Sequence, residues 1–143
     1  MIALSEGALA EIRAHGMETY PEECCGALLG AVEGSRPKVI RVERLENSRG
    51  SERQRRFWIA PEEYQRVEKL AEGEGLALLG FYHSHPDHPA VPSEYDREQA
   101  LPFFHYLIMT VLSGCPGDVT AWVLSEDRGS FDLEESLVEA PGE

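Results

Sequence analysis

The sequence is short of cysteine, of positive charge and of long apolar runs, and each shortage removes a class of protein. Three cysteines, two of them adjacent at Cys24 and Cys25, cannot build a disulfide framework, so a reducing cytoplasm is the expected setting. No stretch approaches the roughly 20 apolar residues that span a bilayer. Residues 1–16 carry acids and a single arginine, which is not the basic-then-apolar build of a signal peptide. With 13 basic against 26 acidic side chains, the net charge of −13 argues against nucleic acid or an anionic membrane as partner. No repeat, linker or low-complexity stretch interrupts the 143 residues. That length suits one domain, 1–143, with a polar tail from about Glu134 that is expected to fray.

The charge is unevenly spread. Residues 1–56 hold nine basic and nine acidic side chains, whereas residues 57–143 hold four and seventeen. Arg49, Arg53, Arg55 and Arg56 fall close together, which reads either as a solvated loop or as a docking patch for an acidic partner. Apolar spacing then divides the chain into alternating elements. Ser5 can cap a helix carrying Ala8, Leu9 and Ile12, with Gly16 as its expected end. Strands are expected at Cys25 to Val32, Lys38 to Leu45, Arg56 to Ile59, Leu76 to Tyr82, Tyr106 to Leu112 and Val119 to Leu124. Pro61 opens a second helix through Tyr64, Val67, Leu70 and Ala71, and Ser93 begins a short third one. The run Leu76 to Tyr82 is apolar almost throughout, so it needs cover on both faces. Helices around such a sheet predict an α/β fold, a three-layer sandwich about a mixed sheet.

The segment from His83 to Asp96 reads H-S-H-P-x6-S-x2-D. If the strand before it continues, His83 and His85 share one face, because side chains alternate with period two. Two imidazoles and the Asp96 carboxylate make three positions of a catalytic zinc and leave one for water. Ser93 and Asp96 have a rival reading, since Ser-x-x-Asp resembles a capping box. His88 is a competing ligand but reads as exposed loop, and for His15 and His105 packing is the expected role. Two histidines with one carboxylate also suit ferrous iron, so composition does not name the metal.

Hydrolysis at such a site needs a general base beside the attacking water. The H-S-H-P segment contains none, unlike helical H-E-x-x-H. Glu22 and Glu23 stand at the mouth of the strand Cys25 to Val32 and point to opposite faces, so at most one reaches the metal. Cys24 and Cys25 alternate likewise, one expected in the core and one toward the site, both as small hydrophobes. Cys115 reads as a loop thiol.

Glu23 begins E-x-C-G-x-L-x-G, and together with H-S-H-P-x6-S-x2-D this resembles the JAMM (MPN+, Mov34/PAD-1) zinc metalloprotease family over most of the chain. All five functional positions of the motif agree. The resemblance implies that His83, His85 and Asp96 bind zinc, that Ser93 hydrogen-bonds the water or the oxyanion, and that Glu23 is the general acid/base. It implies a fold related to cytidine deaminases, although their H-x-E and P-C-x-x-C signature is absent. The substrates it implies are peptide or isopeptide bonds after the C-terminal Gly-Gly of a ubiquitin-like or sulfur-carrier protein. Such an extended tail suits a narrow cleft beside a strand edge, and the arginine-rich stretch is a candidate for acids on the carrier's body. The alternative is a non-catalytic metal-binding MPN scaffold, and formation of a homodimer is left open.

Overall fold

Hydrophobic side chains fall on both faces of the central strands, and the computed structural model sets a helix against each face. It describes residues 1–54 and 56–139. In chain order come β1 (Ile2–Ser5), α1 (Glu6–Thr19), β2 (Cys25–Glu33), β3 (Arg36–Leu45), α2 (Pro61–Gly73) and β4 (Ala77–Pro86). There follow α3 (Glu94–Gln99), β5 (His105–Leu112), β6 (Cys115–Leu124), β7 (Phe131–Glu134) and β8 (Ser136–Glu139). The strands form one eight-stranded sheet in the order β7-β6-β5-β4-β2-β3-β1-β8. It is mixed: β4 runs parallel to β5, and β1 to β3 and β8, while the other pairs are antiparallel.

Each face has its own core, as period-two alternation requires. On one, Ala8 and Ile12 of α1 meet Cys24, Leu28, Tyr82 and Met109. On the other, Val67 and Ala71 of α2 meet Cys25, Ala27, Leu29 and Phe81. The result is the three-layer α/β sandwich that the alternation of elements predicts. Cys24 and Cys25 are both buried in these cores, with Cys25 on the face that carries the site. Burial pushes the Cys24 thiol up to about 11 and that of Cys25 further still, which suits inert hydrophobes.

Several boundaries differ from the expectations, each for a physical reason. The first helix runs past Gly16 to Thr19. A Cβ on Gly16 would lie 2.3 Å from the Met109 Cε, so this glycine permits close packing of helix on sheet and is not a stop. Arg56 to Ile59 form no strand: Phe57 and Ile59 are buried, but the Trp58 N–H is bonded to the Asn47 side chain, not to a ladder. The tail from Glu134 does not fray at once, because residues 136–139 pair in parallel with β1. β4 continues through both histidines to Pro86, and β6 begins at an exposed Cys115. Among the described residues, no helix is long and apolar enough to cross a membrane.

Candidate metal centre

The end of β4 places His83 and His85 on the α2 face, both at most 2% exposed, while Ser84 between them points to the α1 face. The Ser84 Oγ accepts the Cys24 N–H at 2.9 Å, and the Ser84 N–H donates to the Cys24 carbonyl at 3.2 Å. These bonds carry the β2–β4 register, which pairs Cys25 with His83, beyond the ladder. Glu23 thereby comes to the same side as His85, 2% exposed, while Glu22 points to solvent. Nothing in the sequence marks Ser84 as more than a spacer.

Asp96 arrives from α3 by a capping box. The Ser93 Oγ accepts the Asp96 N–H at 3.0 Å, and the Ser93 N–H donates to Asp96 Oδ2 at 2.9 Å. The cap and the ligand arrangement therefore coexist, and the cap is what orients the carboxylate. Asp96 Oδ2 lies 3.1 Å from His83 Nε2 and 3.0 Å from His85 Nε2, and the two Nε2 atoms are 3.1 Å apart. One donor atom from each of Glu23, His83, His85 and Asp96 falls within 4.8 Å of the others.

This arrangement has the chemistry of a cation site. The His85 Nδ1 is 2.8 Å from the Pro89 carbonyl, which can only accept, so Nδ1 carries the proton. That leaves Nε2 as the nitrogen turned toward the Asp96 carboxylate and the His83 ring, where a lone pair on it would be available to a cation. Ligand atoms of a tetrahedral ion with bonds of about 2.0–2.1 Å stand about 3.3 Å apart, close to the 3.0–3.1 Å triangle seen here. The buried Glu23 Oε1 and His83 Nδ1 have no partner among the described residues.

Burial is the largest influence on Glu23 and pushes its carboxyl up to about 8, with the charge of His85 opposing and that of Asp96 adding. Burial also works against the charge of Asp96, yet the two imidazoles hold its carboxyl well below the usual range. Phe57 stacks on His83 at 4.5 Å between centroids, and His88 stacks on His85 at 4.1 Å. His88 is thus a half-buried wall of the site and not the exposed loop residue its neighbours suggest. His15 is buried in the α1 core, and half-buried His105 pairs with Glu134.

Two further features flank the centre. A cavity of about 410 Å³ is lined by Phe57, Trp58, Tyr64 and Tyr106 together with His83 and Asp96, but by neither Glu23 nor His85. Above α3, the guanidiniums of Arg49 and Arg56 both lie over the Tyr95 ring, at 5.3 and 4.9 Å, and both pair with Glu52. Much of the arginine-rich stretch is therefore committed to holding its own loop. Arg55 lies outside the described residues.

The chain resembles known proteins in sequence and in fold. The family profile described as prokaryotic homologs of the JAB domain matches residues 5–125. A Thermus thermophilus protein named a probable TtuB-protein conjugate cleaving protease is 34% identical over 128 residues, 90% of this chain and 79% of that relative. A desampylase of Haloferax volcanii is 32% identical over 112 residues, covering 75% of this chain and 78% of its own. A Desulfitobacterium hafniense protein solved in solution superposes with a TM-score of 0.86 at 32% identity, over 98% of this chain and 94% of the other.

Proposed function

The chain belongs to the prokaryotic JAB-domain family, and from that premise we propose how its site works: as a zinc-dependent isopeptidase or peptidase that cuts after the C-terminal Gly-Gly of a ubiquitin-like or sulfur-carrier protein. The substrate class follows from the relatives, which are named for cleaving protein conjugates and for desampylation. One observation carries the reaction type: three ligand atoms converge within 3.1 Å while a buried, unpartnered carboxylate oxygen stands beside them. His83, His85 and Asp96 would hold the metal. Two imidazoles and one carboxylate in a tight triangle suit four-coordinate zinc better than ions that need many oxygens. When bound, such an ion polarises the scissile carbonyl and lowers the pKa of water to about 7.

The chain's own residues do the rest. Glu23 takes a proton from the attacking water and delivers it to the leaving nitrogen as the C–N bond breaks. The Ser93 Oγ accepts within the helix cap, which leaves its O–H free to donate to the developing oxyanion. The leaving amine belongs on the Glu23 side. The aromatic cavity on the His83 and Asp96 side then takes the acyl part of the substrate. Exposed Arg53, although its Nε donates to the Arg49 carbonyl at 2.6 Å, is the member of the arginine stretch we assign to meet acids on the carrier's body.

The test is cleavage of a carrier protein that bears residues after Gly-Gly, followed by mass spectrometry, before and after chelation. Loss of the added residues, stopped by chelator and restored by zinc, is expected. No cleavage of either linear or lysine-linked conjugates would leave the non-catalytic scaffold as the reading.

A further inference from the structure

We propose that Asn47, in the loop between β3 and α2, is a positioning residue for the Glu23 carboxylate. The proposal rests on the reading of Glu23 as general acid/base. The Asn47 amide group makes every hydrogen bond it can. Its Nδ2 donates to the Glu23 carbonyl at 3.3 Å and to the Arg56 carbonyl at 3.0 Å. Its Oδ1 accepts the Arg49 and Trp58 N–H groups, each at 3.1 Å. Two donors and two acceptors are all an amide offers. Its orientation is also fixed, since a flip would set the oxygen against two carbonyls and the NH2 against two N–H groups.

These four partners come from Glu23 itself and from both ends of one loop excursion. The Ser48 N–H closes the neck of that excursion on the Trp58 carbonyl at 2.8 Å. From its far end, the Arg53 carbonyl accepts the Glu23 N–H at 2.7 Å. Glu23 lies outside β2, which begins at Cys25, so no ladder holds its peptide. One oxygen of its carboxylate, Oε1, is buried without a partner among the described residues. The loop grips the peptide of Glu23 at the N–H through the Arg53 carbonyl and at the carbonyl through Asn47, and Asn47 also bonds both neighbours of Phe57, whose ring stacks on His83. A residue that only stapled the loop would have no need to spend a donor on Glu23.

Two variants, read together with exchange at Glu23, separate positioning from stapling. Asn47→Asp keeps the acceptor oxygen for Arg49 and Trp58 but turns a second oxygen toward the Glu23 and Arg56 carbonyls, whereas Asn47→Ala loses all four bonds. Both are expected to keep the metal and to lose kcat by about 30- to 100-fold, with KM changed less than about threefold, as misplacement of a catalytic group by a fraction of an ångström does. Amide hydrogen exchange gives a readout apart from activity: the Glu23 N–H should exchange about tenfold faster or more, with the Ile108 amide of β5 unchanged. In a Glu23→Ala background, Asn47→Ala should cost nothing further in residual kcat, because the two act as one unit. If Asn47→Ala fails to fold, Asn47→Asp and Asn47→Ser carry the same comparison. A folded, metal-loaded Asn47→Asp with kcat within about threefold of the parent, or with lost kcat but unchanged Glu23 exchange, overturns the proposal. A Glu23→Ala variant with parental kcat would overturn the reading of Glu23 itself, and the positioning role with it.

Discussion

His15 and His83 are both buried histidines, 6% and 2% exposed, and they stand on opposite faces of the sheet. On the α1 face, the His15 Nδ1 is 2.7 Å from the Tyr82 hydroxyl, and burial holds its pKa down to about 4. A neutral, partnered ring in an apolar core is a structural group. On the α2 face, one residue further along β4, His83 has an unpartnered Nδ1 and shares the neighbourhood of its Nε2 with a second imidazole and a carboxylate. Burial is common to both, so burial does not distinguish a site. Converging atoms left without protein partners do. Gly26 of the E-x-C-G motif makes room on the α1 face, since a Cβ there would lie 2.2 Å from the Tyr82 ring.

The comparison can be broken at its strong end first. His83→Ala/His85→Ala should fall from about one zinc per chain to none by elemental analysis, and hydrolysis should drop to background. His15→Asn should keep both its metal and its activity within about threefold. If His15→Asn also lost the metal, the two histidine sites would not be separable.

Acid sharpens the contrast next. Because burial depresses the folded pKa of His15 from 6.5 to about 4, the unfolded chain takes up this proton first as pH falls. The resulting loss of stability is absent above pH 6.5 and complete below about 4, and amounts to roughly 3 kcal/mol. Urea unfolding of parent and His15→Asn at pH 7 and pH 4.5 isolates the effect, and the parent should show the steeper loss. The smallest effect is expected far from either histidine. Arg53→Glu should raise KM for a carrier substrate about threefold, a difference that fades as salt is added. An unchanged KM at low salt would remove the arginine stretch from substrate docking.

How much of this was legible depends on how each feature writes itself into sequence. Period-two spacing puts His83 and His85 on one face, whereas the choice of Glu23 over Glu22 and the roles of Ser93 and Asp96 come from the family resemblance that the E-x-C-G and H-S-H-P-x6-S-x2-D patterns carry. The layering was legible for the same reason, since a strand apolar on both faces needs two covers. β1 and β8 were not, because four residues each, with exposed positions along β8, give no period to read. Arg56 to Ile59 alternates like a strand, but alternation reports burial, and only a neighbour's ladder makes a strand. Gly16 looked like a helix stop because sequence does not show which side chain, here Met109, approaches from another element. Asn47 was hidden for a similar reason: an asparagine in a polar loop gives no sign that its four partners will converge.

The central claim is that Glu23 moves the proton at a metal held by His83, His85 and Asp96. Glu23→Gln keeps the shape and removes the base, so zinc content and single-turnover hydrolysis of a carrier extended beyond Gly-Gly should be measured on the same sample. The account predicts full zinc with hydrolysis reduced by about 10²- to 10⁴-fold. Parental hydrolysis with zinc in place, or loss of zinc together with activity, would contradict it.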